Sequence, residues 1–175
     1  MPDNPEELFD VVDGLDRVTG QARRAEVHAG GLLHRAVHIL VERTGGEIFL
    51  QKRSGGKDCH PGLWDASASG HLESGEGYRE AAVRELGEEL GIKGGDPSEI
   101  GKLAASERTG QEFVRIFRLL YDGDLAPDPD EIAGGRWVSP AGLDRWLKER
   151  PGDFAPAFHE VWKAVGGQFS GSRAS

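Results

Sequence analysis

Residues 70–92 read GHLESGEGYREAAVRELGEELGI, and the spacing inside this stretch decides the fold. At about 100° per residue, Val83, Leu86 and Leu90 fall on one side of a helix over Tyr78–Leu90, with Ala82 beside them. Gly91 supplies a left-handed stop. Glu85, Glu88 and Glu89 stand at i, i+3 and i+4, so their carboxylates converge on an adjacent face. Like charges at that spacing cost a few tenths of a kcal/mol per pair. Arg84 offsets part of this through Glu80 and Glu88, each four residues away. Three convergent carboxylates beside an apolar stripe suit hard divalent cations, Mg²⁺ or Mn²⁺, which favour oxygen ligands and bridge to substrate phosphates. Taken alone, three glutamates also fit a solvated acidic face.

Outward from the helix, the pattern alternates strands with loops. Leu8–Val12 and Val18–Ala22 read as a hairpin around 13–17. Ala36–Glu42 and Glu47–Lys52 form a second strand pair, and Trp64–His71 reads as extended. Residues 54–63 are a loop punctuated by Gly and Pro. Ile100–Glu107, Phe113–Tyr121 and Arg136–Ser139 read as strands. Pro140–Glu149 and Pro156–Val165 read as helices, with Trp146, Leu147, Phe158, Val161 and Trp162 as core candidates. This predicts an α/β domain over 31–166, a hairpin extension of the same domain over 1–30, and a frayed tail over 167–175.

The chain has 175 residues and a net charge of −9, a length that suits one domain. No apolar run approaches the roughly 18 residues of a membrane span, and the acidic start lacks the zones of a signal peptide. Cys59 is the one cysteine; it cannot close an internal disulfide, which fits a cytoplasmic protein. It reads as a small, partly buried residue. The acidic sum argues against binding a nucleic acid polymer, yet it leaves metal-bridged phosphate substrates open. Residues 70–92 hold six glutamates and two arginines, and 122–131 hold five acids and no base. Residues 43–57 carry four Lys/Arg against one acid, a basic island within an acidic chain.

The fixed places in 70–92 are a glycine, a glutamate six residues on, and then Arg-Glu-aliphatic-any-Glu-Glu-any-Gly-aliphatic from Arg84. This pattern resembles the Nudix box. The resemblance implies a Nudix-type α/β/α sandwich around a mixed sheet, and Mg²⁺-dependent (or Mn²⁺-dependent) attack of water on a small-molecule diphosphate. By motif position Glu85, Glu88 and Glu89 hold metal, with Gly70 at the head of that site. Arg84 orients a glutamate, and Glu76 and Gly70 brace the loop.

The likeness extends beyond the box. Lys52-Arg53-Ser54-Gly55-Gly56-Lys57, His60-Pro61-Gly62-Leu63-Trp64-Asp65 and Ser67-Ala68-Ser69-Gly70-His71 resemble the isopentenyl-diphosphate isomerase branch, as do Asp130-Glu131-Ile132 and Phe154-Ala155-Pro156. In that branch the basic loop grips the diphosphate, a role falling here to Arg53 and Lys57. The isomerase needs a cysteine just before the Gly-His of the box, and this chain has Ser69. A hydroxyl is a far poorer proton donor or acceptor than a thiol near neutral pH. His34 and His71 match histidines of the isomerase metal site and stand as ligands or substrate contacts, or as structural hydrogen-bonding residues. His28 lies one residue off a third. Of the late carboxylate pair only Glu112 remains, its partner place being Gly110. His38, in an apolar strand, reads as structural.

The closest likeness is to isomerase-like Nudix hydrolases lacking that cysteine. The expected activity is cleavage of a nucleotide-like or other small organic diphosphate. Catalytic roles fall to Glu88, Glu89 and Arg84, and the base is a box glutamate or a loop acid such as Glu131. The alternatives are the isomerase itself and a noncatalytic ligand-sensing module, which can dispense with the metal carboxylates that all survive here. Loops near 107–111 and 122–135 are placed to contact the leaving group. Many relatives of this kind dimerise, so a homodimer is one expectation, and the residues show no interface for it.

Overall fold

The apolar run at residues 36–41 becomes the centre of a sheet covered on both faces. The structure, a computed structural model, describes residues 3–169. In β3 (His34–Glu42), Val37, Ile39 and Val41 enter one core, while Ala36 and Leu40 enter the other. Burial on both faces explains the nearly continuous apolar sequence. β8 (Glu112–Leu120) runs parallel to β3, from His34 opposite Glu112 to Glu42 opposite Leu120. β7 (Ser98–Leu103) pairs antiparallel with β8.

On its other side β3 meets β4 (Ile48–Arg53) only at Glu42 opposite Ile48. The two strands then splay, and the following chain fills the wedge. β5 (Trp64–Asp65) pairs antiparallel with β4, and β6 (Ala68–His71) pairs antiparallel with β3. Ser67 sits at the apex, its Oγ accepting the Val41 N–H at 2.8 Å and donating to the Phe49 carbonyl. These contacts satisfy backbone groups that the splay would otherwise orphan. β9 (Ile132–Val138) pairs antiparallel with β4, so the sheet is mixed. A separate hairpin, β1 (Leu8–Val12) and β2 (Val18–Arg23), leads into the short α1 (Arg24–Gly30).

α2 (Tyr78–Leu90) covers one face, packing Ala81, Ala82, Leu86 and Leu90 against Val37, Ile39 and Val41. α3 (Pro140–Glu149) and α4 (Pro156–Val165) cover the other. In α4, Phe158, Val161, Trp162 and Val165 are all buried at i, i+3, i+4 and i+7, each large apolar side chain stabilising by about 1.5–3 kcal/mol. Ser139 caps α3, its Oγ accepting the Gly142 N–H at 3.0 Å, a contact worth about 1 kcal/mol. The result is the expected α/β/α sandwich around a mixed sheet. Among the described residues no helix is long and apolar enough to cross a membrane.

Several expectations need correction. Trp64–His71 is two short strands broken at the wedge apex, and β9 begins at Ile132 rather than Arg136. β7 spans Ser98–Leu103, not Ile100–Glu107. The tail expected from 167 continues as ordered chain through Phe169, which is buried and stacked on Trp162 at 5.6 Å. Residues 170–175 lie outside the described residues. Val83 is only half-buried, and the positions sealed against the sheet include Glu85 and Glu89 instead.

Candidate metal and diphosphate site

The three box glutamates share a helix but not an environment. Glu85 and Glu89 are buried, whereas the Glu88 side chain is 58% exposed. Space for Glu85 comes from Gly70. A Cβ built there would lie 1.9 Å from Glu85 Oε1, so only glycine lets the strand and the carboxylate share that volume. α2 ends where Gly91 turns left-handed, with Gly91 N–H bonded to the Gly87 carbonyl and Ile92 N–H to Leu86. This Schellman closure lets the next loop return, and Asp128 N–H donates to the Glu89 carbonyl at 2.9 Å.

Arg84 organises the face. Its guanidinium donates to Glu76 through Nε at 2.8 Å and Nη2 at 2.9 Å, to Glu85 Oε1 at 2.8 Å and to Glu88 Oε2 at 3.2 Å. Nη2 also donates to the His71 carbonyl at 2.9 Å. Glu80, expected to pair with Arg84, instead accepts the Gly77 N–H at 3.1 Å at the start of α2. Gln51 Nε2 donates to Glu89 Oε2 at 2.6 Å, and the Ser69 N–H to Oε1 at 3.3 Å. Even so, burial pushes the Glu89 carboxyl up to about 7, with Glu131 adding to the rise and Gln51 and Lys57 opposing it. Burial, followed by repulsion from Glu89, raises Glu85 well above the ordinary carboxylate range. One arginine thus offsets an oxygen-rich face only in part, and burial disfavours charge on Glu85 and Glu89. That donor set fits a hard divalent cation.

The basic loop is built but internally paired. Arg53 Nη1 lies 3.2 Å from Asp65 Oδ2, and its Nε donates to the Cys59 carbonyl at 3.1 Å. Lys57 Nζ donates to Glu131 and, at 3.2 Å, to Asp3. Burial lowers the Lys57 pKa, but Glu131 and Asp3 reverse that and hold it raised. The local +3 read from sequence is therefore answered by carboxylates from β5, the N-terminal segment and the 122–131 loop. Cys59 is exposed rather than partly buried.

A second cluster lies at the N-terminal end of β3. The register sets His34 beside Glu112, β6 brings His71, and α1 adds His28. Donor atoms of His28, His34 and His71 all lie within 4.8 Å of one another. His34 Nδ1 is 2.8 Å from the Leu32 carbonyl, which orients the ring. Its buried Nε2 makes no hydrogen bond and lies 3.5 Å from Glu112 Oε1. Metal-binding histidines are commonly oriented through the other ring nitrogen in this way. His71 Nε2 bonds Glu112 at 2.8 Å, and burial lowers the His71 pKa to about 4. Sequence comparison left this set one carboxylate short; the structure nevertheless gathers four of its members. His38 is buried with Nδ1 unpartnered, 3.6 Å from Asp65.

Sequence reasoning missed Gln51 and Arg24. Gln51 was detectable as a polar residue at a core-facing place of an apolar strand. Arg24 was not, because its partners Asp3, Glu7 and Asp58 converge only in the fold. The expected leaving-group loop lines a cleft of about 450 Å³ with Phe49, Tyr121, Asp124, Pro127 and Trp137. Phe49 and Gln51 share a face of β4 two residues apart, so the cleft begins about 7 Å from the Glu89 partner.

The chain matches the model of the NUDIX domain over residues 32–165. It is 39% identical over 134 residues to an uncharacterized Nudix hydrolase of Yersinia pestis, covering 77% of this chain and 74% of that one. It is 34% identical over 165 residues to an isopentenyl-diphosphate Delta-isomerase of Burkholderia multivorans, covering 92% and 94%. The crystal structure of DR0079 from Deinococcus radiodurans superposes with a TM-score of 0.73 at 28% identity, covering 82% and 90%. By its box, its sheet and these relatives, the chain belongs to the Nudix family.

Proposed function

We propose that the protein is a pyrophosphohydrolase that cleaves a diphosphate linkage in a nucleotide-like or other small organic diphosphate, using Mg²⁺ or Mn²⁺ held by Glu85, Glu88 and Glu89. The observation that carries this reading is the burial of Glu85 and Glu89 with both carboxyls raised. A bound divalent cation would relieve that strain, neutralise diphosphate charge and acidify the attacking water. Arg84 keeps Glu85 and Glu88 in place, and Gln51 fixes one oxygen of Glu89. Substrate binding draws Lys57 and Arg53 from their carboxylates to phosphate oxygens. Glu131, released from Lys57, and Glu88 are then the candidates for accepting a proton from water. The cleft beside Phe49 and Trp137 takes the leaving group.

The test is a phosphate-release screen over nucleotides, nucleotide sugars, thiamine diphosphate and prenyl diphosphates with each metal. Glu88→Gln and Glu89→Gln are each expected to abolish hydrolysis while circular dichroism shows an intact fold. Full activity in both variants overturns the assignment. One observation favours a second reading as isopentenyl-diphosphate isomerase, namely the assembled His28, His34, His71 and Glu112 cluster. Ser69 opposes it, and incubation with isopentenyl diphosphate followed by NMR is expected to show no dimethylallyl isomer.

A further inference from the structure

The N-terminal hairpin lies outside the box yet is bonded into it at one buried carboxylate. Asp10 of β1 is 8% exposed. Its Oδ1 accepts from Ser74 Oγ at 2.9 Å and its Oδ2 from the Gly75 N–H at 3.0 Å. The Ser74 N–H in turn donates to the Leu8 carbonyl at 3.0 Å. Hydrogen bonds to a carboxylate are about twice as strong as neutral ones. They end on a turn of the box loop whose Gly75 has φ +80°.

That turn sets the position of Glu76. Glu76 N–H donates to the Glu73 carbonyl at 3.0 Å, and Glu73 N–H to Glu76 Oε2 at 2.9 Å. The Glu76 carboxylate then takes both Nε and Nη2 of Arg84, whose remaining Nη1 reaches Glu85 and Glu88. A second tie reaches the first turn of α2, where Tyr78 Oη donates to Asp16 Oδ2 at 2.8 Å. The hairpin thus clamps both ends of the segment that aims Arg84.

We infer that Asp10 is a positioning residue for the metal-binding glutamates, acting through Ser74-Gly75, Glu76 and Arg84. This rests on the reading of Glu85, Glu88 and Glu89 as metal ligands. Outer partners of this kind change metal affinity by about 10- to 100-fold when removed, although Asp10 touches no ligand itself.

The experiment measures Mn²⁺ affinity by electron paramagnetic resonance, with exchange of the Arg84 Nε–H followed by ¹⁵N NMR in metal-free protein. Asp10→Ala is expected to weaken Mn²⁺ binding about tenfold and to speed Nε–H exchange; the isosteric Asp10→Asn changes both less. Thr19→Ala is the control. The Thr19 hydroxyl donates to the Val11 carbonyl across the hairpin at 3.3 Å, so its loss removes a hairpin contact without touching Asp10, Asp16 or the box. Its Mn²⁺ affinity is expected to match the wild type. Wild-type affinity in Asp10→Ala, or an equal loss in Thr19→Ala, overturns the inference. If the wild type binds no Mn²⁺, the hydrolase reading fails, and unchanged Nε–H exchange in Asp10→Ala overturns the inference on its own.

Discussion

Gly70 and His71 are neighbours on β6, and successive residues of a strand point to opposite faces. Below Gly70 lie Glu85 and Arg84, whereas His71 joins His28, His34 and Glu112. One strand therefore separates the proposed carboxylate ligands from a histidine cluster whose donor atoms lie within 4.8 Å of one another, and the two differ in kind. The glutamate face is oxygen-rich, and burial raises Glu85 and Glu89 above the ordinary carboxylate range. The histidine cluster carries its own counter-group, since His71 Nε2 bonds Glu112 at 2.8 Å and His34 Nε2 lies 3.5 Å from the same oxygen. The first suits Mg²⁺ or Mn²⁺, and the imidazoles suit later transition metals.

The largest effect is expected at Gly70. In Gly70→Ala the new Cβ falls 1.9 Å from Glu85 Oε1 and 2.2 Å from its Cδ. The carboxylate must swing away from Arg84 within a buried site, at about 1–3 kcal/mol of stability. Mn²⁺ affinity at the glutamate face should fall about 100-fold, while metal binding by the histidines is retained. Calorimetric titration reads both. Loss of both together would mean that the strand does not keep the clusters apart.

His34→Ala probes the opposite face. It removes Nε2, 3.5 Å from Glu112, and the Leu32 contact, and the Co²⁺ or Zn²⁺ stoichiometry is expected to fall by one. Mg²⁺-dependent hydrolysis, if carried by the glutamates, should stay within a few-fold of the wild type. A collapse of hydrolysis comparable to that of Glu89→Gln would show instead that the two clusters work as one centre.

The same contrast explains what was legible in the sequence. The glutamate face is written into thirteen consecutive residues of α2, where helical periodicity converts spacing directly into geometry. The bounds of α3 and α4 were likewise readable, because Pro at N1 and an amphipathic stripe mark them locally. The histidine cluster draws on α1, β3, β6 and β8, and no local pattern states that register. α1 escaped notice because it has seven residues and follows Arg23, whose N–H is bonded by the Glu26 carboxylate at 2.9 Å. β9 was read as beginning late because Gly134-Gly135 resembles a loop. In the fold the Phe49 ring occupies the space a Gly135 side chain would need. The pairing of Arg53 and Lys57 with distant acids is a tertiary fact, invisible to a charge count.

The smallest expected effect tests the strain itself. Glu89 is raised from 4.5 to about 7, chiefly by burial. Below pH 4.5 the carboxyl is protonated in both folded and unfolded chains. Between 4.5 and 7 the unfolded chain has released the proton and the folded one retains it, so stability falls as pH rises through this window and levels off above it. A shift of that size corresponds to on the order of 3 kcal/mol. Glu89→Gln removes the titration, so in metal-free urea unfolding the variant should gain stability over the wild type from pH 5 to pH 8. His71, lowered to about 4 by burial, destabilises in the opposite direction below its ordinary value of 6.5, but it is common to both proteins and cancels in their difference. Mn²⁺ at pH 8 should stabilise the wild type and leave Glu89→Gln nearly unchanged. A pH-independent difference between the two would mean that Glu89 carries no strain for a cation to relieve, and the distinction between the two faces of β6 would then reduce to donor type alone.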